Sequence, residues 1–286
     1  MIPILQRQNN HFSIYLVNQI HDEPVSPFNR AKLLNIGFDL AKEDGFDCFF
    51  FHDVDLVAEN DENIYECLEI PRHYSGYIDI FNYTLLYDTI FGGITAFSAE
   101  AFEKINGYSN EYWGWGGEDD DLERRTMDGA KYNLTRPAPE KSHYKMIKHD
   151  HEASNQVNPY RKKLLKAWKK HADFDGLNNL NYELIERNND VFFKNITVDL
   201  KYSERIPLEQ LLDEDEPILT DQESQDLDNY YLIMRSIIIF INLILIFYLI
   251  KNMKFFKKFH MKNKKKSELN GPSGEARRIS LTRNIC

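Results

Sequence analysis

The sequence is poor in cysteine and, outside its C-terminus, in clustered basic residues, and each shortage excludes a class of protein. Three cysteines among 286 residues are too few for a disulfide scaffold, although Cys48 and Cys67 could pair in an oxidising compartment. Residues 1–200 contain no cluster of Lys and Arg of the kind that phosphate contacts require, which argues against nucleic-acid binding. Neither a G-x-S-x-G motif nor a G-x-x-x-x-G-K-S/T loop occurs, so the sequence gives no support to a serine hydrolase or a P-loop protein.

The composition is that of a folded chain with unevenly distributed charge. Apolar residues make up 42% and charged residues 28% of the chain, and the aromatic content of 13% is far above that of disordered segments. Residues 251–286 hold 11 Lys and Arg against 2 acidic residues, which leaves 24 basic and 43 acidic residues in residues 1–250. The sequence therefore predicts an acidic body with a basic tail, and an anionic ligand of that body would need a metal ion.

The order of apolar segments predicts one α/β domain over residues 1–202. Residues 12–17 form a short apolar and β-branched run, residues 29–44 carry apolar side chains at helical spacing, and residues 48–51 form an apolar strand. A strand, a helix and a strand in this order predict a parallel βαβ unit. Ligands of such units bind beyond the carboxyl ends of the strands, so residues 52–56 are the first candidates for a site.

The C-terminal third predicts a membrane anchor. Residues 203–229 contain ten acidic residues and two prolines, which indicates an acidic flexible stem. Residues 230–250 carry one charge, Arg235, and are long enough for a transmembrane helix. Eight lysines between positions 251 and 266 place a basic disordered tail, residues 251–286, in the cytosol and the acidic domain on the lumenal side.

The sequons of the sequence fit a lumenal protein, whereas its first residues do not. Three N-x-S/T sequons, at Asn82, Asn133 and Asn195, fit glycosylation in the lumen. The first seven residues lack the hydrophobic region of a signal peptide. We therefore expect the N-terminus of the sequence to be incomplete.

Two acidic motifs are candidates for chemistry. Asp53-Val54-Asp55 follows the apolar strand, and in an extended chain its two carboxylates would point the same way and could share a divalent cation. The same pattern also fits a solvated strand end. Residues 112–121, Y-W-G-W-G-G-E-D-D-D, combine two tryptophans with four carboxylates, as a sugar site does when indole stacks on the ring and carboxylates bind hydroxyls. The alternative is a helix start beside core aromatics.

A third motif, at residues 146–151, is less specific. Its physical chemistry nominates His149 or His151 as a metal ligand and would pass over Met146, because a thioether is not the expected ligand of a hard cation. The alternative is an ordinary surface histidine, which the residues alone favour.

Together these motifs resemble the β-1,4-galactosyltransferase family in order and spacing, over about residues 3–200. The segments that carry the resemblance are F-N-R-A-K-L-L-N at 28–35, F-F-H-D-V-D-L at 50–56, F-G-G-I-T-A at 91–96, the block at 112–121, Met146 with His149, N-P-Y-R at 158–161, D-G-L-N at 175–178 and I-T-V-D at 196–199. The resemblance implies a nucleotide-diphospho-sugar transferase fold of the GT-A type, a Rossmann-like mixed sheet flanked by helices. It also implies an inverting Mn²⁺-dependent transferase in the Golgi lumen that uses a UDP-sugar.

The resemblance assigns roles to individual residues. The catalytic base would be Asp119. The donor would be bound by Phe28, Arg30, Asp53, Ile90 and Trp115, and the acceptor by Trp115, Gly116, Glu118, Asp120 and Arg161. The metal ligands would be Asp55, Met146 and His149, which makes Met146 a ligand after all. Cys48 and Cys67 fall on the positions of a family disulfide. Because Asp119 lies between two carboxylates, we expect its pKa to be raised, which suits a general base.

Departures from the family pattern set the finer expectations. Ile90 stands where the vertebrate galactosyltransferases have Tyr, and in the family a smaller side chain there goes with UDP-GalNAc, because it leaves space for the N-acetyl group. We therefore expect transfer of GalNAc, or else Gal, to the 4-hydroxyl of a terminal GlcNAc. Residues 3–8 resemble the segment after the family's first strand, so that strand is expected to be missing. The family anchors at its N-terminus, whereas the predicted helix at 230–250 is C-terminal.

Two other functions stay open at this point. The missing strand motivates a catalytically inactive carbohydrate-binding membrane protein with the same fold. The basic tail motivates a third interpretation, a juxtamembrane segment that binds anionic lipid, with Ser280 after two arginines as a kinase target.

Overall fold

The structure is a computed structural model that describes residues 1–20, 26–148 and 155–212. Its strands are β1 (Ile14–Gln19), β2 (Cys48–His52), β3 (Leu56–Ala58), β4 (Arg72–His73), β5 (Tyr77–Ile78), β6 (Ile94–Ser98), β7 (His143–Met146), β8 (Glu183–Asn189) and β9 (Phe193–Asp199). Its α-helices are α1 (Ile2–Arg7), α2 (Arg30–Glu43), α3 (Ala99–Lys104), α4 (Glu118–Arg124), α5 (Arg161–Lys166), α6 (Trp168–His171) and α7 (Leu208–Leu211). Short 3₁₀ turns and one π turn, Arg125–Gly129 after α4, connect them.

Helix α2 forms where the apolar spacing predicted it. Asn29 caps its N-terminus by accepting a hydrogen bond from the backbone N–H of Lys32, 2.9 Å away. Two sets of buried side chains leave the helix in different directions. Leu33 and Ile36 pack with the strands β1 and β9, whereas Phe38 packs against the phenylalanines of β2, β6 and α3. One helix thereby covers two groups of strands.

The strands form three three-stranded sheets, and this corrects the expectation of a simple βαβ unit. The orders are β1-β9-β8, β2-β6-β4 and β3-β7-β5, with β1 parallel to β9 and β2 antiparallel to β6. The predicted strand, helix and strand are present, but β1 and β2 are hydrogen-bonded in different sheets. Their partners come from residues far away in sequence, which local patterns do not encode.

Register brings the loops of the site together. In the antiparallel pairing of β2 with β6, His52, the last residue of β2, lies opposite Ile94, the first residue of β6. The residues directly after β2 therefore run beside the residues directly before β6. The backbone N–H of Asp53 accordingly donates to the carbonyl of Gly93 at 3.1 Å. Strand β3 pairs with β7 so that Leu56 lies opposite Met146. The turn at residues 53–55 is thus held between the loop at 92–93 and the end of β7.

Residues 203–212, the start of the predicted stem, pack on the domain. A 3₁₀ turn at Tyr202–Glu204 precedes α7, and Leu211 and Leu212 are buried against Tyr112 and Leu164. The apolar pair explains the packing, because burying two leucines stabilises the contact by about 3–6 kcal/mol.

The remainder of the C-terminal predictions lies outside the described residues: the stem beyond residue 212, the helix at 230–250 and the tail at 251–286. Contacts divide the chain into the units Met1–Ile218 and Leu219–Cys286, and all described residues belong to the first. Within the described part, none of the helices has the length and apolar character needed to cross a membrane.

Two expectations about covalent chemistry can be compared with the structure. Cys48, at the start of β2, and Cys67 form a disulfide, which confirms that prediction. The three sequon residues, Asn82, Asn133 and Asn195, all have exposed side chains, as glycosylation requires. Their modification stays a prediction.

Candidate active site

The first group of the site is built around Arg30, the first residue of α2. Its Nε donates to Oδ1 of Asp53 at 2.9 Å, and its Nη1 lies 3.6 Å from Oε1 of Glu118. The Arg30 side chain is 26% exposed and that of Glu118 15%, so this contact between β2, α2 and α4 is partly shielded from solvent. Burial raises the pKa of Glu118 to about 7, against the opposing charge of Arg30. A single guanidinium thereby joins a predicted donor residue to a predicted acceptor residue.

The predicted base, Asp119, lies against the backbone of Gly92. A Cβ placed on Gly92 would meet Oδ2 of Asp119 at 2.3 Å, so the carboxylate fits there because position 92 lacks a side chain. Oδ1 of Asp119 accepts the backbone N–H of Asp120 at 3.0 Å, in the first turn of α4. Burial, together with the charge of Asp120, raises the pKa of Asp119, as the sequence led us to expect.

The acids open a helix, as in the alternative interpretation of this block, a helix start beside core aromatics. All four carboxylates from Glu118 to Asp121 occupy the first turn of α4, where backbone N–H groups favour negative charge. Gly117 precedes the helix with a positive φ of 95°. Asp120 in addition accepts a hydrogen bond from the hydroxyl of Tyr87 at 3.1 Å.

The two tryptophans of the block have different positions. Trp113 is buried, packs against Tyr202 and donates its Nε1–H to Glu111 at 3.1 Å. Trp115 is 49% exposed, and the guanidinium of Arg161 lies 5.7 Å from its ring centroid. The indole of Trp115, the tryptophan to which the resemblance assigns a binding role, is therefore partly open to solvent, whereas that of Trp113 belongs to the core.

Neighbouring loops hold the exposed indole in place. The backbone of Trp115 donates to the carbonyl of Gln156 at 2.8 Å and accepts from the N–H of Asn158 at 3.0 Å. Gly114 donates to the carbonyl of Phe28 at 2.8 Å, just before α2. The side chain of Arg161 packs over Gly116, whose φ is positive at 101°. The loop at residues 114–116 therefore brings together three predicted binding residues, Phe28, Gly116 and Arg161.

The structure describes two of the three predicted metal ligands, Asp55 and Met146. Asp55 directly precedes β3 and Met146 is the last residue of β7, where it lies opposite Leu56. The backbone N–H of Ile147 donates to the carbonyl of Asp55 at 2.7 Å. His149 lies outside the described residues. In the part of the chain that the structure describes, no three His, Cys, Asp or Glu side chains group as metal ligands. One carboxylate and one thioether thus fit a metal site that needs further ligands.

Asp53 and Asp55 lie in a turn, whereas the sequence suggested an extended chain. Strand β2 ends at His52, and Leu56 donates its N–H to the carbonyl of Asp53 at 3.3 Å, which closes the turn. Val54, between the two acids, is 88% exposed. The turn is supported by His52, whose Nδ1 bonds to the carbonyl of Asp53 at 2.7 Å and whose Nε2 meets the hydroxyl of Tyr65 at 3.1 Å.

A fully buried ionic network lies beneath α4, and no local pattern of residues indicated it. Arg125 donates to Asp121 at 2.5 Å and lies 3.6 Å from Asp175, and Ser109 also bonds to Asp175. His171 lies 3.2 Å from Asp175. Since Asp121 follows the predicted acceptor and base residues directly, the network fixes the helix that presents them.

Replacing His171 by glutamine is expected to change how stability depends on pH. Burial opposes the charged imidazole, but the hydrogen bond to Asp175 and the charges of both aspartates outweigh it, so the pKa of His171 is raised. The folded protein then binds more protons than the unfolded chain, whose histidine titrates near about 6.5. Stability from this group is complete below that value and is lost as pH rises through the raised pKa.

Urea unfolding of the wild type and of His171→Gln, followed from pH 5 to pH 9, measures this effect. The difference between the two free energies of unfolding should shrink as pH rises. A difference that stays constant or grows over this range would contradict the sign.

Comparison with known proteins finds two matching family models and several similar sequences. A model of the N-terminal region of glycosyl transferase group 7 matches residues 1–68, and one described as the N-terminal domain of galactosyltransferase matches residues 72–150. Beta-1,4-galactosyltransferase 4 of Homo sapiens is 46% identical over 198 residues, which are 69% of this chain and 56% of that protein. Beta-1,4-galactosyltransferase 5 of Sus scrofa is 45% identical over 201 residues, 70% of this chain and 50% of that protein. The chain spans about half the length of the curated relatives it matches.

Solved structures agree with the sequence relatives. The catalytic domain of Drosophila beta-1,4-galactosyltransferase 7 in complex with xylobiose is 28% identical, with a TM-score of 0.60 over 74% of this chain and 88% of that chain. A mutant of that Drosophila enzyme in complex with manganese, UDP-Gal and xylobiose matches equally well. The mixed α/β fold, with grouped carboxylates beside an exposed indole, is that of a GT-A type glycosyltransferase. Within this class the chain belongs to the β-1,4-galactosyltransferase family.

Proposed function

We propose that this protein is an inverting glycosyltransferase that moves GalNAc or Gal from a UDP-sugar to the 4-hydroxyl of a terminal GlcNAc, in β-1,4 linkage. The observation that carries the proposal is the contact of Arg30 with both Asp53 and Glu118, next to Asp119 on the Gly92 backbone. This contact joins the residues proposed for the donor to those proposed for the acceptor and for proton transfer.

Each step of the reaction uses a residue of this chain. Asp119 takes the proton of the acceptor 4-hydroxyl while that oxygen attacks C1 of the sugar and the bond from C1 to the UDP oxygen breaks on the opposite face. One displacement inverts the anomeric centre. Trp115 stacks on sugar, and Glu118 and Asp120, with Gly116 and Arg161, hold the acceptor. The raised pKa of Asp119 brings its basicity closer to what proton abstraction at neutral pH requires.

Manganese is the proposed cofactor. Asp55, which precedes β3, and Met146, which lies opposite Leu56 of β3, would hold it together with His149. When bound, the ion stabilises the negative charge on the UDP leaving group. The Drosophila structure that contains manganese and UDP-Gal supports this assignment for the family.

The donor is proposed to be UDP-GalNAc because of Ile90. Replacing Ile90 by tyrosine is expected to shift donor preference towards UDP-Gal by at least about tenfold, since a phenol would fill the space of the N-acetyl group. The ratio of kcat/KM values for the two donors, measured with a GlcNAc acceptor and Mn²⁺, tests it. Ile80→Leu, a substitution at an exposed apolar position of similar size, is the control and should leave the ratio unchanged. Equal preference before and after Ile90→Tyr would refute the steric argument.

The location proposed for this activity is the Golgi membrane with the domain in the lumen. The disulfide, the exposed sequons and the apolar residues 230–250 support it. The proposed organisation keeps residues 1–202 as the catalytic domain, followed by the stem, the anchor and the cytosolic tail, with residues 203–212 packed on the domain. Glycosylation is proposed at Asn82, Asn133 and Asn195.

A catalytically inactive carbohydrate-binding protein is the competing proposal. The observation that favours it is the separation of β1 and β2 into different sheets, so that no ladder joins β1 to the strand that leads into the site. The test is to express the full chain in membranes and measure release of UDP from UDP-GalNAc and UDP-Gal with a GlcNAc acceptor and Mn²⁺. Turnover that disappears on chelation supports the transferase. Binding of GlcNAc without turnover selects the inactive protein.

A further inference from the structure

One chain of hydrogen bonds holds the loop at residues 88–93 of the candidate site, and the proposed mechanism does not use it. It consists of Arg136, His73 and Ser75, and it ends on the loop at residues 88–93. Nε of Arg136 donates to Nδ1 of His73 at 2.9 Å, and Nε2 of His73 lies 2.8 Å from the carbonyl of Gly92. Because Arg136 can only donate, Nδ1 of His73 must be the acceptor, so Nε2 carries the hydrogen and donates it to Gly92.

The same arginine holds the loop at two further points. Its Nη2 donates to the carbonyls of Asp88 and Ile90, each at 2.8 Å. One guanidinium therefore fixes the backbone on both sides of the residue that the proposed function assigns to donor choice. The planar fork of arginine suits such a set of acceptors, whereas a lysine offers one donor point.

Two of the residues that contact the loop, His73 and Ser75, are uncharged and hydrogen-bonded within the protein. His73 and Ser75 are buried, at 0% and 2% exposure, and Oγ of Ser75 donates to the Gly92 carbonyl at 3.0 Å. Oγ also accepts the backbone N–H of Ile94 at 2.7 Å, at the start of β6. Burial and the charge of Arg136 lower the pKa of His73 to about 3, in agreement with the neutral ring that the bonds require.

The hydrogen-bond chain contacts the backbone next to the proposed base and the backbone of a proposed donor residue. Gly92 is the residue against which the Asp119 carboxylate lies, and Ile90 is two positions away. Holding the carbonyls of Gly92 and Ile90 fixes the distance between Asp119, the proposed base, and Ile90, the proposed donor residue. A displacement of about 1 Å at such a point is enough to alter a rate by two orders of magnitude.

We propose that Arg136 and His73 are positioning residues that set donor specificity by holding the loop at residues 88–93. The inference rests on the proposed sugar transfer and adds to it the residues that decide between UDP-Gal and UDP-GalNAc. Neither residue touches the reacting atoms, and both act through the backbone of Ile90 and Gly92.

The test compares the two donors in conservative variants. Arg136→Lys keeps the charge and loses the fork, and His73→Asn keeps an acceptor for Arg136 but no longer reaches Gly92. For each variant we would measure kcat/KM with UDP-Gal and UDP-GalNAc on a GlcNAc acceptor with Mn²⁺, and the dissociation constants of both donors by calorimetry. Arg187→Lys is the matched control, because Arg187 pairs with Asp44 on the surface of β8.

We expect Arg136→Lys and His73→Asn each to change the donor ratio at least about fivefold, with the control within twofold of the wild type. In the Arg136→Lys background, Ile90→Tyr should shift preference less than it does alone, since the two residues act on one loop. If both variants lose activity equally with the two donors, and Ile90→Tyr keeps its full effect, the proposal is overturned.

A protein that turns over neither donor would refute the proposed function, and the ratio of donor dissociation constants would then decide this inference separately. In that case an unchanged ratio in both variants overturns it and a fivefold change supports it. Absence of binding to either donor would overturn both.

Discussion

Replacing Asp119 by asparagine is expected to lower kcat for sugar transfer by about 10²- to 10⁴-fold, the range typical of lost general base catalysis. Asparagine keeps the shape and the oxygen that accepts the N–H of Asp120, but it cannot take a proton. In the wild type, kcat should fall as pH falls through the raised pKa of Asp119, because the base acts only when deprotonated. The residual activity of Asp119→Asn should lack this limb.

Initial rates from pH 5 to pH 8 with saturating substrates would measure the effect. Asp128→Asn is the control, because Asp128 is an exposed acid in the π turn directly after α4 and lies outside the proposed site. It should retain wild-type rates. A loss below tenfold in Asp119→Asn would show that another group removes the proton.

Replacing Arg125 by methionine is expected to lower the free energy of unfolding by about 3–5 kcal/mol. Arg125 is 2% exposed and pairs with Asp121 and Asp175, both fully buried. Methionine fills a similar volume but removes the guanidinium, which leaves His171 as the remaining cationic partner of the two buried carboxylates. Urea unfolding at pH 7 would measure the loss, which corresponds to a decrease in Tm of roughly 10 °C or more.

The control for this prediction is Arg187→Met. Arg187 also pairs with an aspartate, Asp44, but the two side chains are 24% and 23% exposed, so the loss should be about 0–1 kcal/mol. Equal losses in the two variants would mean that burial of the Arg125 network carries no special weight. Arg125→Lys, which restores the charge without the fork, should fall between the wild type and Arg125→Met.

Local patterns predicted the elements of the fold better than their pairing. The apolar spacing of residues 29–44 predicted α2, with Asn29 as its cap, and the phenylalanines at 49–51 predicted β2. The partner of β1, however, is β9, some 180 residues later in sequence (Ile14 lies opposite Phe193). Register of this kind depends on tertiary packing, which no short segment encodes. The packing of Leu211 and Leu212 was hidden for a related reason, since the acidic residues around them dominate the composition.

The site was predictable where its residues are close in sequence or share the family pattern. The acids from Glu118 to Asp121 and the exposed Trp115 were found this way. His73 and Arg136 were missed, because they are 63 residues apart and each looks ordinary in its own segment. The family pattern assigned no role to Trp113, and its indole N–H donates to Glu111 inside the core.

The contact between Gly92 and Asp119 has a consequence for how relatives of this protein could diverge. A methyl group at position 92 would lie 2.3 Å from the carboxylate oxygen of Asp119, so the carboxylate would have to move. Alanine at this codon is one mutational step from glycine. One substitution could therefore displace the proposed base of this site while the fold is kept.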